Sequence, residues 1–168
     1  FSIYKKICID ILAPEWTIDI YQRMKEINHV HINPFNHGEM KIGDRMAMGK
    51  LKAEEDYDQA IVLPNSLKSA LIPFFAKIPL RTGWRGEMRY VLINDMRILD
   101  KKIYPRMVDR FVALALDEKT DFPSTIPFPS LSVDKENLDS LREEFEIDTS
   151  LPIICLCPGA EFGPAKRW

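Results

Sequence analysis

Three short segments hold the residue types that could do chemistry in this chain, and all three suit anions. The first is Pro158-Gly159-Ala160-Glu161-Phe162-Gly163-Pro164-Ala165-Lys166-Arg167-Trp168. Its small residues let backbone N–H groups approach an anion, a helix beginning after the turn would add its dipole, and Lys166 and Arg167 could neutralise a diphosphate. It is neither a Walker loop nor a G-x-G-x-x-G fingerprint, and a Gly/Pro turn with two solvated cations explains it equally well. The second is Arg81-Thr82-Gly83-Trp84-Arg85-Gly86-Glu87-Met88-Arg89-Tyr90, which opens a stretch to Arg110 with eight basic residues against four acidic ones. Arginine forks match phosphate and carboxylate, while Trp84 and Tyr90 offer flat faces for sugar rings. Surface charge paired with Glu87, Asp95, Asp100 and Asp109 is the competing reading, and on the residues alone it carries the greater weight. The third is Asn65-Ser66-Leu67-Lys68-Ser69, where a helix cap beside a solvated lysine is favoured on chemistry alone.

Other chemistries find less support. His29, His31 and His37 lack metal-type spacing, and no Ser-His-Asp or Cys-His arrangement stands out. The three cysteines, Cys8, Cys155 and Cys157, make no disulfide framework, and the Cys155–Cys157 pair, with no second ligand cluster beside it, reads as buried free thiols of a reducing compartment rather than a metal site. A net charge of -2 argues against a general nucleic-acid binder, which needs excess Lys and Arg to neutralise phosphates. The apolar stretches are too short and too broken by charge to cross a bilayer.

The elements that must position these segments alternate short apolar runs with amphipathic ones. Strands are expected at Ile7–Leu12, around Val30-His31-Ile32, at Ala60–Leu63 (a buried one), at Leu80–Trp84 and at Ile153–Cys157. Helices are expected at Thr17–Ile27, Ile42–Glu55, from Leu67 to Ile78 with Pro73 kinking or breaking it, at Tyr104–Leu116 and at Asp134–Phe145. Asn65 or Ser66 would cap the third of these. Strands separated by helices of this length imply parallel pairing in a layered α/β domain, whose carboxyl edge is where open sheets put ligands. Pro123, Pro127 and Pro129 interrupt the pattern between Asp117 and Ser132, as an extended interdomain connection would. This divides the chain into an α/β domain over residues 1–120, a linker and helix over 121–150, and the start of a second α/β domain over 151–168. Phe1 in place of Met, and an end at Lys166-Arg167-Trp168 where a helix should begin, read as cuts in a longer sequence.

At three stretches the chain resembles the heptosyltransferases of lipopolysaccharide core assembly. They are Tyr57-Asp58-Gln59-Ala60-Ile61-Val62-Leu63-Pro64-Asn65-Ser66-Leu67-Lys68-Ser69-Ala70, the Arg81–Tyr90 segment and the Cys157–Trp168 segment, in the family's order and spacing. Their wording is nearer to the branch that adds the second inner-core heptose than to the one that adds the first. The resemblance implies a GT-B-type fold, with a Rossmann-like N-terminal domain holding the acceptor and a second domain, begun here by its first strand, holding the nucleotide sugar. It implies inverting transfer of L-glycero-D-manno-heptose from ADP-heptose to the first heptose on Kdo–lipid A. The setting would be the cytoplasmic face of a Gram-negative inner membrane, peripherally, with no metal, cofactor or nucleic acid. A base must take the acceptor's proton and cations must stabilise the leaving diphosphate. In the family that base is an aspartate of a Gly-Asp loop, which would precede Phe1, so this stretch alone is expected to be inactive. Lys166 matches the lysine that meets the ADP phosphates, with Gly159 and Ala160 supplying loop backbone. Arg81, Arg85, Arg89 and Lys68 fall in segments on the acceptor side, to hold phosphate or Kdo carboxylate. Two alternatives remain, a transferase that accepts on Kdo itself and a non-catalytic α/β module that binds anionic glycolipid.

Overall fold

The computed structural model describes residues 7–117, 120–156 and 158–159. The chain clusters into two compact units, Phe1–Ile32 with Pro129–Trp168, and Asn33–Phe128.

In the first unit, β1 (Ile9–Ala13) and β2 (Ile27–Ile32) pair in parallel, and α1 (Ile18–Gln22) connects them. The helix is far shorter than the stripe from Thr17 to Ile27 suggests. A 3₁₀ turn, Glu15–Thr17, precedes it, and Ile27 leaves it to pair with Ile9. An apolar residue that completes a helical stripe serves a strand equally well, and the sheet ladder satisfies its backbone more fully. Further along the chain, α5 (Lys135–Glu144) begins where Asp134 accepts from the Asn137 N–H at 3.1 Å, an N-cap of the expected kind. Ser132, at the end of the Pro-rich stretch, is tied by both its N–H and its hydroxyl to the Arg23 carbonyl. The run expected to open a second sheet does not form a ladder: residues 153–156 are exposed and carry no strand. A strand exists only by virtue of a neighbour, and none pairs with this run among the described residues. Cys155 is exposed rather than buried, as Cys8 is exposed too, and Cys157 lies outside the described residues.

The second unit holds a parallel sheet in the order β3 (Gln59–Val62), β4 (Leu80–Trp84), β5 (Asp95–Arg97). With it come α2 (Ile42–Lys52), α3 (Leu71–Phe75) and α4 (Met107–Ala115). Packing of α2 on α3 requires Gly49, where a Cβ would lie 2.7 Å from the Ile72 carbonyl oxygen. Two apolar clusters anchor the sheet, Val62 with Ala70 and Ile93, and Trp84 with Ala113 and Leu114. β3 is less buried than its apolar sequence suggests. Val62 is inside, but Ile61 and Leu63 are exposed, because β3 is an edge strand with one covered face.

Pro73 does not end its helix. The chain from Leu67 to Ala70 is a 3₁₀ turn and Pro73 is the third residue of α3, where a missing N–H costs no helical bond. The helix closes when Lys77 takes a left-handed φ of 56° and Ile78 donates to the Pro73 carbonyl at 3.2 Å. β5 was not anticipated, since three residues with charges at both ends give no apolar alternation. Its charges are satisfied within the unit. Asp95 accepts from Thr82 Oγ1 at 2.8 Å and from Arg97 at 2.8 Å, and Gln59 donates to Thr82 Oγ1 at 2.9 Å. Arg97 also donates to the Ala113 and Leu116 carbonyls at 2.7 and 2.5 Å, joining the sheet to α4.

Candidate functional site

Parallel strands deliver their outgoing loops to one edge of the sheet. In the second unit these are the loop from Leu63 to Ser66 after β3 and the loop from Arg85 to Met88 after β4. Two of the three anion-suited segments therefore meet at this edge, and they meet closely. A Cβ on Gly86 would fall 2.3 Å from the Asn65 carbonyl oxygen, so glycine is needed for the two backbones to approach. That carbonyl accepts from the Glu87 N–H at 3.1 Å. In return a Glu87 carboxylate oxygen accepts from the Leu67 N–H at 2.7 Å, capping the 3₁₀ turn from across the loop. Ser66 occupies the cap position but its side chain accepts nothing there. The cap expected from Asn65 or Ser66 is thus supplied by Glu87, a residue distant in sequence that local signals do not reveal.

Arg89 lies beneath this junction, 1% exposed. One terminal nitrogen donates to the Pro64 carbonyl at 2.6 Å, and the other to the Trp84 carbonyl at 2.7 Å and Asn65 Oδ1 at 3.3 Å. Its Nε is buried without a partner. Burial pulls this guanidinium below its ordinary pKa while the Glu87 charge opposes the shift, and it remains protonated at neutral pH. Arg89 was expected to face the acceptor side. The structure directs it inward instead, because carbonyls from both loops converge where only a planar fork reaches them.

Arg85 is the reverse case. Its backbone N–H is fixed on the Arg97 carbonyl at 2.7 Å, and its exposed guanidinium meets no partner among the described residues. Lys68, half-buried in the capped turn, likewise has an unengaged ammonium among the described residues. Arg81 does not join them. It is the second residue of β4, toward the opposite edge from Trp84. There it donates to the Ile78 and Leu92 carbonyls at 2.5 and 2.7 Å and lies 5.6 Å from the centre of the Phe74 ring. Membership of a motif that ends at the loop had suggested the carboxyl edge, but Arg81 precedes the loop by most of a strand.

The basic stretch is therefore less of a patch than its count implies. Arg97 pairs with Asp95 and Arg106 with Asp109, while Arg110 donates to the Tyr104 and Pro105 carbonyls. Trp84 is almost fully buried against Tyr104, whereas Tyr90 is two-thirds exposed. A hollow of about 440 Å³ lies against Trp84, Tyr104 and Phe122. No group of three or more metal-ligating side chains forms among the described residues, and no described helix is long and apolar enough to cross a membrane. At the other end, Gly159 is exposed with open space where a Cβ would sit. Ala160 and Lys166 lie outside the described residues.

A parallel α/β unit with cations at its carboxyl edge fits part of a GT-B-type glycosyltransferase, and the comparisons agree on that class. The chain belongs to glycosyltransferase family 9 (heptosyltransferase), whose profile matches residues 45–168. It is 49% identical over 170 residues to lipopolysaccharide heptosyltransferase 2 of Salmonella typhimurium and 48% identical over 170 residues to that of Escherichia coli K12. Identity to lipooligosaccharide heptosyltransferase 2 of Haemophilus influenzae is 48% over 174 residues. Each comparison covers 98% of this chain and 49% of the relative, so the chain spans about half the length of the curated relatives it matches. The solved structure of E. coli ADP-heptose lipopolysaccharide heptosyltransferase II matches with a TM-score of 0.84 at 46% identity, again over 98% of this chain and 49% of that one.

Proposed function

We propose that this chain is the acceptor-side portion of an inverting heptosyltransferase. The enzyme moves L-glycero-D-manno-heptose from ADP-heptose to the first heptose of the lipopolysaccharide inner core. The observation that carries this reading is identity near one half across 98% of the chain to relatives named heptosyltransferase 2. In the reaction the acceptor hydroxyl oxygen forms a bond to the anomeric carbon and the bond from that carbon to the ADP oxygen breaks. A base takes the hydroxyl proton and cations receive the diphosphate. We assign Arg85 and Lys68 to phosphate or Kdo carboxylate of the acceptor, with Arg81 and Arg89 as framework. Lys166, with the Gly159 and Ala160 backbone, is assigned to the ADP phosphates. The base belongs to a Gly-Asp loop ahead of Phe1, and neither metal nor cofactor is required. The functional division assigns residues 1–120 to the acceptor domain, 121–150 to the connection and 151–168 to the donor domain. The enzyme works in the cytoplasm, peripheral to the inner membrane, where its partners are ADP-heptose and Kdo–lipid A carrying one heptose.

The test incubates the chain extended to its natural ends with ADP-heptose and Kdo–lipid A, with and without the first heptose, and follows mass. The expected result is a gain of one heptose on the heptosylated acceptor only, and no turnover by the 168-residue chain alone. Gain only on the bare Kdo acceptor would assign the earlier transfer. No gain on either would leave a glycolipid-binding module.

A further inference from the structure

We propose that Arg89 is a positioning residue: its buried guanidinium, with Gly86 and Glu87, locks the loops after β3 and β4 into one rigid platform that presents Arg85 and Lys68 to the acceptor's anionic group. The proposal rests on the reading above that this half of the enzyme holds the acceptor. Arg89 donates to three consecutive residues of one loop, Pro64, Asn65 and Ser66, at 2.6, 3.3 and 3.4 Å, and to Trp84 at the mouth of the other at 2.7 Å. A fifth contact reaches Ser69 Oγ at 3.4 Å.

The energetics favour a positional role over a purely stabilising one. Arg89 is almost fully buried, yet among the described residues no carboxylate lies within ion-pair distance and its Nε is unpartnered. Burying a cation on neutral carbonyls alone costs free energy that an apolar side chain of similar volume avoids. In exchange, several donors in one plane hold two loops at a fixed separation, which the Gly86–Asn65 approach and the Glu87–Leu67 cap reinforce from above. Arg85 stands on that platform, its backbone held from the β5 side by Arg97. A cation on a fixed base loses little conformational entropy when it meets an anion, so the lock acts on acceptor affinity.

The experiment uses the complete enzyme and compares the parent with Arg89→Met, Arg89→Lys and Glu87→Ala. KM for heptosylated acceptor, KM for ADP-heptose, kcat and the melting temperature are measured for each. Arg89→Met is expected to raise the acceptor KM about tenfold while the donor KM stays within about twofold. Arg89→Lys should recover only part, since an ammonium cannot reach both loops at once. Should Arg89→Met fail to fold, Glu87→Ala decides, because Glu87 is exposed and its removal frees the same loop from above. It should raise the acceptor KM in the same selective way. Loss of kcat with both KM values unchanged would reduce Arg89 to a folding role and overturn the proposal, as would an unchanged acceptor KM in the variants that fold. A parent that transfers nothing to the heptosylated acceptor would instead overturn the functional reading, and the positioning role with it.

Discussion

At the scale of single residues, the four acceptor-side candidates separate by what their charged ends touch. Arg89 and Arg81 donate to backbone carbonyls, so their charges hold the fold. Arg85 keeps a guanidinium unengaged among the described residues, on an anchored backbone. Replacing it by alanine in the complete enzyme should lower kcat/KM for the acceptor by about 10- to 100-fold, the loss of a charged hydrogen bond worth roughly 1.5–3 kcal/mol. Stability should change by less than about 0.5 kcal/mol, because the side chain is exposed and unpartnered. Steady-state kinetics with a parallel melt checks both halves, and an unchanged kcat/KM would remove Arg85 from the acceptor site. The sequence held the residue types for this contrast but not its sign. An arginine among Gly, Trp and Glu looks the same on paper whether it faces water or three carbonyls.

At the scale of elements, the segment from Leu67 to Ile78 shows how far local pattern reaches. Its apolar period was legible only in part: of the stripe Leu67, Ala70, Leu71, Phe74, Phe75 and Ile78, Ala70, Leu71 and Ile78 are buried and the other three half-buried, while Ile72 and Ala76 from outside it are buried too. Its internal division into a 3₁₀ turn and a five-residue helix was not legible. Where it ends, Lys77 stands in the left-handed region with φ 56° and donates to the Phe74 carbonyl at 3.0 Å. An L-residue with a Cβ is penalised there and glycine is not. Lys77→Gly is therefore expected to stabilise the enzyme by up to about 1 kcal/mol, offset in part by the greater entropy of glycine in the unfolded chain. A denaturant midpoint that falls with unchanged slope would contradict this. The reach of local pattern is shorter still for α1. There a stripe from Thr17 to Ile27 resolved into a brief helix and the first residue of β2, because pairing with Ile9 is a contact the stripe cannot foresee.

At the scale of the whole molecule, one carboxylate adds a side-chain tie to the three-stranded sheet, Asp95 of β5 accepting from Thr82 of β4. Burial of Asp95 acts to raise its pKa, but hydrogen bonds from Arg97 and Thr82 and the nearby Arg97 charge outweigh it and hold the carboxyl below its ordinary value. Depression in the folded state means the unfolded chain binds the proton first. The contribution is thus present in full above the unfolded value of about 4 and is lost as pH falls through the lower folded value. Asp109 adds in the same sense, its carboxyl lowered mainly by the hydrogen bond from the Arg106 side chain. Asp95→Asn should lower the melting temperature at pH 7 and make its fall between about pH 5 and 3 shallower than the parent's. An equally steep fall would mean that Asp95 does not govern acid stability.

The sequence by itself determined the class of the molecule: a parallel α/β layout, the Pro-rich interruption, and the motif wording that places the chain among the heptosyltransferases. These follow from period, composition and local order, which are properties of neighbours along the chain. Only the tertiary structure decided which cations remain available at the carboxyl edge, that Glu87 rather than Ser66 caps the turn, that Gly86 is required by Asn65, and that the charged triplet Asp95–Arg97 is a strand. The cap and the glycine are set by groups about twenty residues apart and the strand by its neighbour, while the cations are engaged by partners both near and far along the chain. Hydrogen-bond partners and burial at such separations are fixed by packing, and no local pattern encodes them.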